Sequence, residues 1–165
     1  MRAAAITALA LCAAGPARAE TVKPFEVTAR IVSGCIVAQD AAGRWGTINL
    51  GSVSGVAGDS AQATLLSTAG AGLVIECTPG LSATLSADNG DHPSGGERFL
   101  QAAGGTGTIR YRLYANGGST PWAGGTVPLT FATGAQVIPV RAVATLAGPT
   151  AAGIYTDTVR ITLSW

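Results

Sequence analysis

The sequence has few charged and few aromatic residues. Of its 165 residues, 12% are charged and 5% are aromatic, and the charged share is about half of what an average domain carries. Ten basic residues stand against nine acidic ones, which gives a formal net charge of +1. Because binding to nucleic acid or to an anionic membrane surface needs a basic excess, this balance argues against both kinds of partner.

Residues that commonly hold metals or carry out catalysis are also scarce. There are one histidine, one methionine and three cysteines. The sequence has no GxSxG, GxGxxG, HExxH or phosphate-binding-loop motif, and the turn around Asp88 and Asp91 lacks the distal glutamate of a calcium loop. The lone His92 lies in a turn-forming run and is interpreted as a solvated loop side chain. We therefore expect no enzyme, metal site, cofactor or small-molecule substrate.

The first nineteen residues have the pattern of a secretory signal peptide. A positive start at Arg2 precedes an apolar run over residues 3–14, which is too short to span a bilayer. Ala17-Arg18-Ala19 has the small-x-small form that signal peptidase recognises. We predict cleavage after Ala19 and export of the mature chain.

Cleavage at that point would remove Cys12 and leave only Cys35 and Cys77. An even pair of cysteines in an exported chain indicates one disulfide, which would stabilise the fold by about 4 kcal/mol in the chain-entropy account. The alternative is a reactive or metal-binding pair, but no CxxC motif, histidine or cationic cluster accompanies either cysteine.

Apolar residues recur with a period of two along most of the mature chain. The last stretch is the clearest, because four apolar residues point one way and polar residues the other: Val159, Ile161, Leu163 and Trp165. Turns rich in glycine, asparagine and proline separate these runs, and no segment keeps a helical period. The pattern predicts an all-β, antiparallel sandwich.

The segment after the predicted cleavage site alternates in the same way, with Phe25, Val27, Ala29 and Ile31 apolar. A self-complete sandwich would pair this strand within the molecule. Alternatively, the sheet lacks a strand and accepts this segment from a neighbouring subunit, which would pair the open edge and bury the four side chains. At roughly 1.5–3 kcal/mol per large apolar side chain, the gross gain would be on the order of 5–9 kcal/mol.

Three aromatic residues in the middle of the chain could form a sugar-stacking platform: Tyr111, Tyr114 and Trp122. The favoured interpretation places the first in the core and the other two over its rim. Arg110 and Arg112 alternate with Tyr111 and are interpreted as a solvated face. Asp157 and Arg160 are expected to form a minor surface pair across the last strand.

Short segments spread over the mature chain occur in a recognisable order: 25–29, 33–35, 77–80, 98–100, 111–114 and 152–159. Together with the signal peptide and the cysteine pair, they resemble the spore-coat-protein-U-like domain of archaic chaperone–usher pilus subunits. The resemblance implies an incomplete immunoglobulin-like sandwich that lacks its last strand. A periplasmic chaperone would fill the gap until an outer-membrane usher assembles homologous pilin subunits by donor-strand exchange.

The resemblance also implies roles for the two alternating segments. A donor segment, residues 20–32, would fill the groove of the preceding subunit with four side chains: Phe25, Val27, Ala29 and Ile31. The pilin-like domain, residues 33–165, would border its own groove with four others: Val159, Ile161, Leu163 and Trp165. The small Ala29 departs from this pattern, because a larger side chain would fill more of the groove.

The length leaves room for one domain, so a shaft or adaptor subunit fits better than a two-domain tip adhesin. We expect a structural role in adhesion and biofilm formation, with the protein passing through the periplasm to a cell-surface pilus. The alternative is a secreted, self-complete sandwich that coats a surface or binds carbohydrate.

Overall fold

The computed structural model describes residues 22–165, and the predicted signal peptide lies outside them. In this part of the chain all regular secondary structure is β-strand, and every strand pairing is antiparallel. No helix within residues 22–165 is long and apolar enough to cross a membrane. The chain divides into two compact units, of which the first ends at Ile31 and the second is Val32–Trp165. The predicted all-β fold is confirmed.

The second unit contains the strands. In chain order they are β1 Cys35–Val37, β2 Ser60–Thr64, β3 Leu66–Ser67, β4 Gly70–Ala71, β5 Leu73–Cys77, β6 Leu81–Ala87, β7 Arg98–Ala102, β8 Thr108–Ala115, β9 Thr126–Phe131, β10 Ala135–Ile138, β11 Val140–Thr145, β12 Tyr155–Thr156 and β13 Ile161–Ser164.

One long strand pair runs through two of the sheets. β5 pairs with β10 and β6 pairs with β9 in an almost continuous register, which is interrupted only at residues 78–80 and 132–134. On the other side of this pair, β1 borders β5 and β13 borders β6. β1 and β13 are therefore edge strands, and each borders one half of this long strand pair.

The other large sheet has five strands, in the order β12-β7-β8-β11-β2, and β3 and β4 form a small hairpin. Alternation decides which side chains face the core. In β8, Tyr111 and Leu113 are buried while Arg110 and Arg112 are exposed, as the period of two predicts. The largest fully buried side chains come from strands β5, β6, β9, β10 and β11: Phe131, Leu73, Ile75, Leu85, Ile138 and Val140.

Two sequence-based expectations need correction. Trp122 is part of the core, because its backbone N–H donates to Leu113 O and its Nε1–H to Gly125 O, and these bonds fold the indole inward from its turn. The last strand is shorter than the alternation suggested, since its ladder covers Ile161–Ser164. Val159 and Trp165 lie just outside it.

A candidate strand-acceptor edge

The free side of β13 is an open sheet edge. β13 pairs only with β6, at the end of its sheet. The N–H of Asp88 donates to Arg160 O, and hydrogen-bonded and non-bonded pairs alternate along an antiparallel ladder. Thr162 and Ser164 therefore turn their backbone groups toward β6. Ile161 and Leu163 turn theirs toward the free edge, where no partner strand lies within residues 22–165.

The apolar side chains of this segment are only partly covered. Val159, Ile161 and Leu163 pack against the core but remain half-buried, whereas Leu85 and Phe131 on the neighbouring strands are fully buried. Trp165 is 59% exposed. An open ladder beside an incompletely covered apolar row is the feature that an added strand would satisfy.

A buried carboxylate holds the segment that leads into β13. The Asp157 side chain is 1% exposed. Its Oδ1 accepts the Asp91 N–H at 2.9 Å and lies 3.0 Å from His92 Nδ1, and its Oδ2 accepts the Tyr111 hydroxyl at 2.5 Å. Burial, and then this hydrogen bond to the carboxylate, raises the pKa of Tyr111. The phenol therefore stays protonated and remains a donor.

Gly90 allows the turn to close on this carboxylate. Its φ is +80°, and a Cβ built on it would lie 2.0 Å from Asp157 Oδ2. Any side chain at this position would be strained by its backbone conformation and would also collide with Asp157.

A second contact holds the start of β13 to the same turn. The backbone N–H of Arg160 donates to Asp88 Oδ1 at 2.9 Å, and its Nη1 lies 2.7 Å from Asp91 Oδ1. Burial alone would raise the pKa of Asp88, but the backbone N–H groups of Arg160 and Gly90 and the Arg160 guanidinium outweigh it and hold that pKa below its usual value.

The expected pair between Asp157 and Arg160 is therefore wrong. The two side chains point to different partners, because alternation along an extended segment sends residues three apart to opposite faces. His92 also departs from its interpretation as a solvated side chain, since its ring contacts a buried carboxylate.

The buried side chain of Arg98 holds the turn at Asp88 from the core side. Arg98 is the buried charged residue of the core region, and its guanidinium donates to three backbone carbonyls, of which Ala87 O is the most distant, 3.5 Å from Nη2. Nε and Nη2 reach Asp88 O, and Nη1 reaches Trp122 O at 2.6 Å. Sequence reasoning missed this cluster, because its partners lie between 10 and 24 residues from Arg98 along the chain and no local spacing announces them.

The predicted donor residues lie in the first unit. Residues 22–31 form no regular secondary structure and are all exposed. Phe25 is 87%, Val27 81% and Ile31 90% exposed, and Ala29 is exposed as well. Residues 25–31 therefore present three large apolar side chains to solvent, those of Phe25, Val27 and Ile31.

The predicted disulfide joins Cys35 to Cys77. These residues face each other in the pairing of β1 with β5, and the Gly34 N–H donates to the Thr78 hydroxyl beside them. The bond therefore fixes the point at which the N-terminal segment enters the second unit. Within residues 22–165, no three His, Cys, Asp or Glu side chains are arranged to hold a metal ion.

The chain is similar to several solved structures. A chain of the CsuC–CsuE chaperone–tip adhesion subunit pre-assembly complex, from the archaic Csu pili of Acinetobacter baumannii, aligns with a TM-score of 0.53 and 19% identity over 82% of this chain. A chain of a chaperone–tip adhesin complex of CFA/I fimbriae aligns with a TM-score of 0.51 and 14% identity over 79%. The P pilus rod subunit PapA aligns over 79% of this chain and 97% of its own, at 17% identity and a TM-score of 0.49. This chain spans 40% and 41% of the first two chains.

The fold defined by these strands is thus an immunoglobulin-like sandwich of the kind found in chaperone–usher pilus subunits. Residues 21–162 match the Spore Coat Protein U domain, and the chain belongs to that family. No curated protein sequence is similar enough to count as a match.

Proposed function

We propose that this protein is a structural subunit of a chaperone–usher pilus, in which β13 accepts the N-terminal segment of a neighbouring subunit. The observation that carries the proposal is the free edge of β13 with its half-covered apolar row. A chain with an open edge at one end and an exposed alternating segment at the other has both halves of a strand-exchange contact.

The physical basis is the pairing of unsatisfied groups. A donor strand laid along β13 would bond the free N–H and C=O groups of Ile161 and Leu163. Its apolar residues would leave water and cover the side chains that β13 leaves half-exposed. Phe25, Val27 and Ile31 supply most of the apolar area, and the smaller Ala29 supplies less.

The same edge suggests the partners. Before assembly it would need cover, which a periplasmic chaperone would provide, and an outer-membrane usher would exchange the chaperone for the next subunit. The similarity to chains from two chaperone–tip complexes supports the chaperone step. The protein would then be exported to a surface fibre, as a shaft or adaptor subunit without enzymatic activity, and would serve adhesion and biofilm formation.

The test is to express the protein in a periplasm with the chaperone of its own pilus system and to compare four forms. These are the wild type, a deletion of residues 20–32, the variant V27S/I31S and the matched control E26Q/T28A, which alters the polar side of the same segment. Each sample is sized in solution and run on denaturing gels with and without heating.

The wild type and the control should give a ladder that collapses on heating. The deletion and V27S/I31S should give no ladder and still be recovered with the chaperone. A stable monomer in all four forms would contradict the proposal and favour the self-complete secreted sandwich.

A further inference from the structure

The outer face of the five-stranded sheet carries three arginines that the strand register brings together. Arg110 and Arg112 alternate along β8 and point away from the core. Arg141 of β11 lies directly opposite Tyr114 of β8, and residues opposite each other in a ladder share a face. The next outward pair along the ladder is Val143 with Arg112. Spacing in the sequence could not show this, because Arg141 belongs to a different strand.

These arginines have little neutralising charge around them. Arg110 and Arg112 share Glu97, at 3.8 and 3.9 Å, and are each nearly half-exposed. Arg141 donates to the neutral Gln62 at 3.0 Å and lies over the Tyr114 ring, 4.5 Å from its centre. Elsewhere in the second unit, Arg44 lies 2.8 Å from a carboxylate oxygen and Arg160 2.7 Å from one.

The other outward side chains of this face are mostly neutral hydrogen-bonding groups: Ser60, Gln62, Thr64, Gln101, Thr108, Thr145 and Thr156. The apolar exceptions are Phe99, opposite Arg110, and Val143, opposite Arg112, and both are only partly exposed. The face therefore combines positive charge with amides and hydroxyls, and the strands that form it contribute no carboxylate.

We propose that this face binds an acidic polysaccharide. Arginines would pair with the carboxylates of the sugar chain by charge-assisted hydrogen bonds, and the amides and hydroxyls would bond to sugar hydroxyls. Tyr114, with Arg141 over its ring, adds an aromatic side chain at the edge of the arginine group. A membrane would need fully exposed apolar anchors, whereas Phe99 and Val143 on this face are partly buried. Nucleic acid would need a larger basic excess.

This inference does not depend on strand exchange, because the face belongs to the five-stranded sheet, which does not contain β13. The test uses polygalacturonate as the acidic probe and dextran as the neutral one, immobilised and titrated with purified protein at low and high salt. Wild type, R112Q, R141Q, R112Q/R141Q and the control R44Q are compared in the same oligomeric form and at equal subunit concentration.

Wild type should bind polygalacturonate in preference to dextran and lose binding as salt rises. The double variant should bind at least about tenfold more weakly. R44Q, which removes a more exposed arginine elsewhere, should stay within about twofold of the wild type. Gln62→Glu places a carboxylate beside Arg141 with little change of shape, and it should weaken binding as R141Q does.

Several results would overturn the inference. One is a wild type without salt-sensitive binding to polygalacturonate. Another is an R44Q variant that loses as much affinity as R112Q, which would show that binding depends on net charge and not on this face. A double variant with unchanged binding would place the site elsewhere. A wild type that binds no polygalacturonate, together with a double variant of altered oligomer size, would assign the face to contacts between subunits.

Discussion

The two ends of the described chain share a sequence pattern and differ in structure. Residues 22–31 alternate but are exposed along their whole length. The C-terminal segment alternates too, yet Tyr155 pairs with Ala102, Asp157 is buried in a hydrogen-bonded cluster and Arg160 is held by two carboxylates. Alternation thus specifies that a segment can serve as a strand. The polar contacts beside it determine whether it is fixed within its own molecule.

The largest expected effect comes from removing the central contact of the fixed end. Asp157→Ala would leave the Tyr111 hydroxyl and the Asp91 N–H without their acceptor, and it should lower the free energy of unfolding by about 3 kcal/mol. Denaturant unfolding measures this loss. Amide hydrogen exchange should also accelerate in residues 161–164, because their anchor is weakened.

The matched control is Asp40→Ala, which removes a carboxylate paired with Arg44 in an exposed turn. Its cost should be much smaller than that of Asp157→Ala, because the Asp40 carboxylate is exposed. Equal losses in the two variants, or unchanged exchange in β13 of Asp157→Ala, would show that the carboxylate does not fix this end.

A smaller effect isolates the close approach of the turn. Gly90→Ala should cost about 2–3 kcal/mol, because it adds a collision with Asp157 to the backbone strain. Gly80→Ala has almost the same φ, +83°, with nothing within 4 Å of the added carbon, and should cost only about 1–2 kcal/mol.

Thermal or denaturant unfolding of both glycine variants gives the comparison. The double variant G90A/D157A should lose less unfolding free energy than the two single variants lose together, because the collision needs the carboxylate. Full additivity, or equal losses at Gly80 and Gly90, would contradict the contact.

The smallest effect is a pH dependence. The pKa of Asp88 is lowered in the folded protein, so its contribution is fully present above the unfolded pKa of about 3.9 and disappears as the pH falls through the lower folded value. Asp88→Asn should therefore be less stable than the wild type at pH 6, by under about 1 kcal/mol at this half-exposed position. The gap should narrow as the pH falls below about 3.9, and a gap that widens on acidification would refute the assignment.

Much of the fold could be predicted from the sequence, because its causes are local. Period-two alternation located Ile161 and Leu163 on one side of a strand, and the cysteine count paired Cys35 with Cys77, which the structure confirms. The donor and acceptor roles of the two end segments remain proposals.

The polar cluster could not be predicted, because its members lie far apart in the sequence. His92 is 65 residues from the carboxylate it contacts and Tyr111 is 46 residues from it. The turn that includes Gly90 was visible, but what packs against it was not. The prediction for Trp122 was wrong for the same reason. Its backbone N–H donates to Leu113 O of β8, and the sequence does not show that these two residues meet.

The disulfide also sets the path of mechanical load. A pulling force on residues 22–31 would pass along residues 32–34 to Cys35. From there the Cys35–Cys77 bond would carry it directly into β5. Residues 38–72, with their long irregular connections, lie between β1 and β5 and are bypassed by this covalent path. The force is instead distributed over the long pairing of β5 and β6 with β10 and β9, where many hydrogen bonds resist it together.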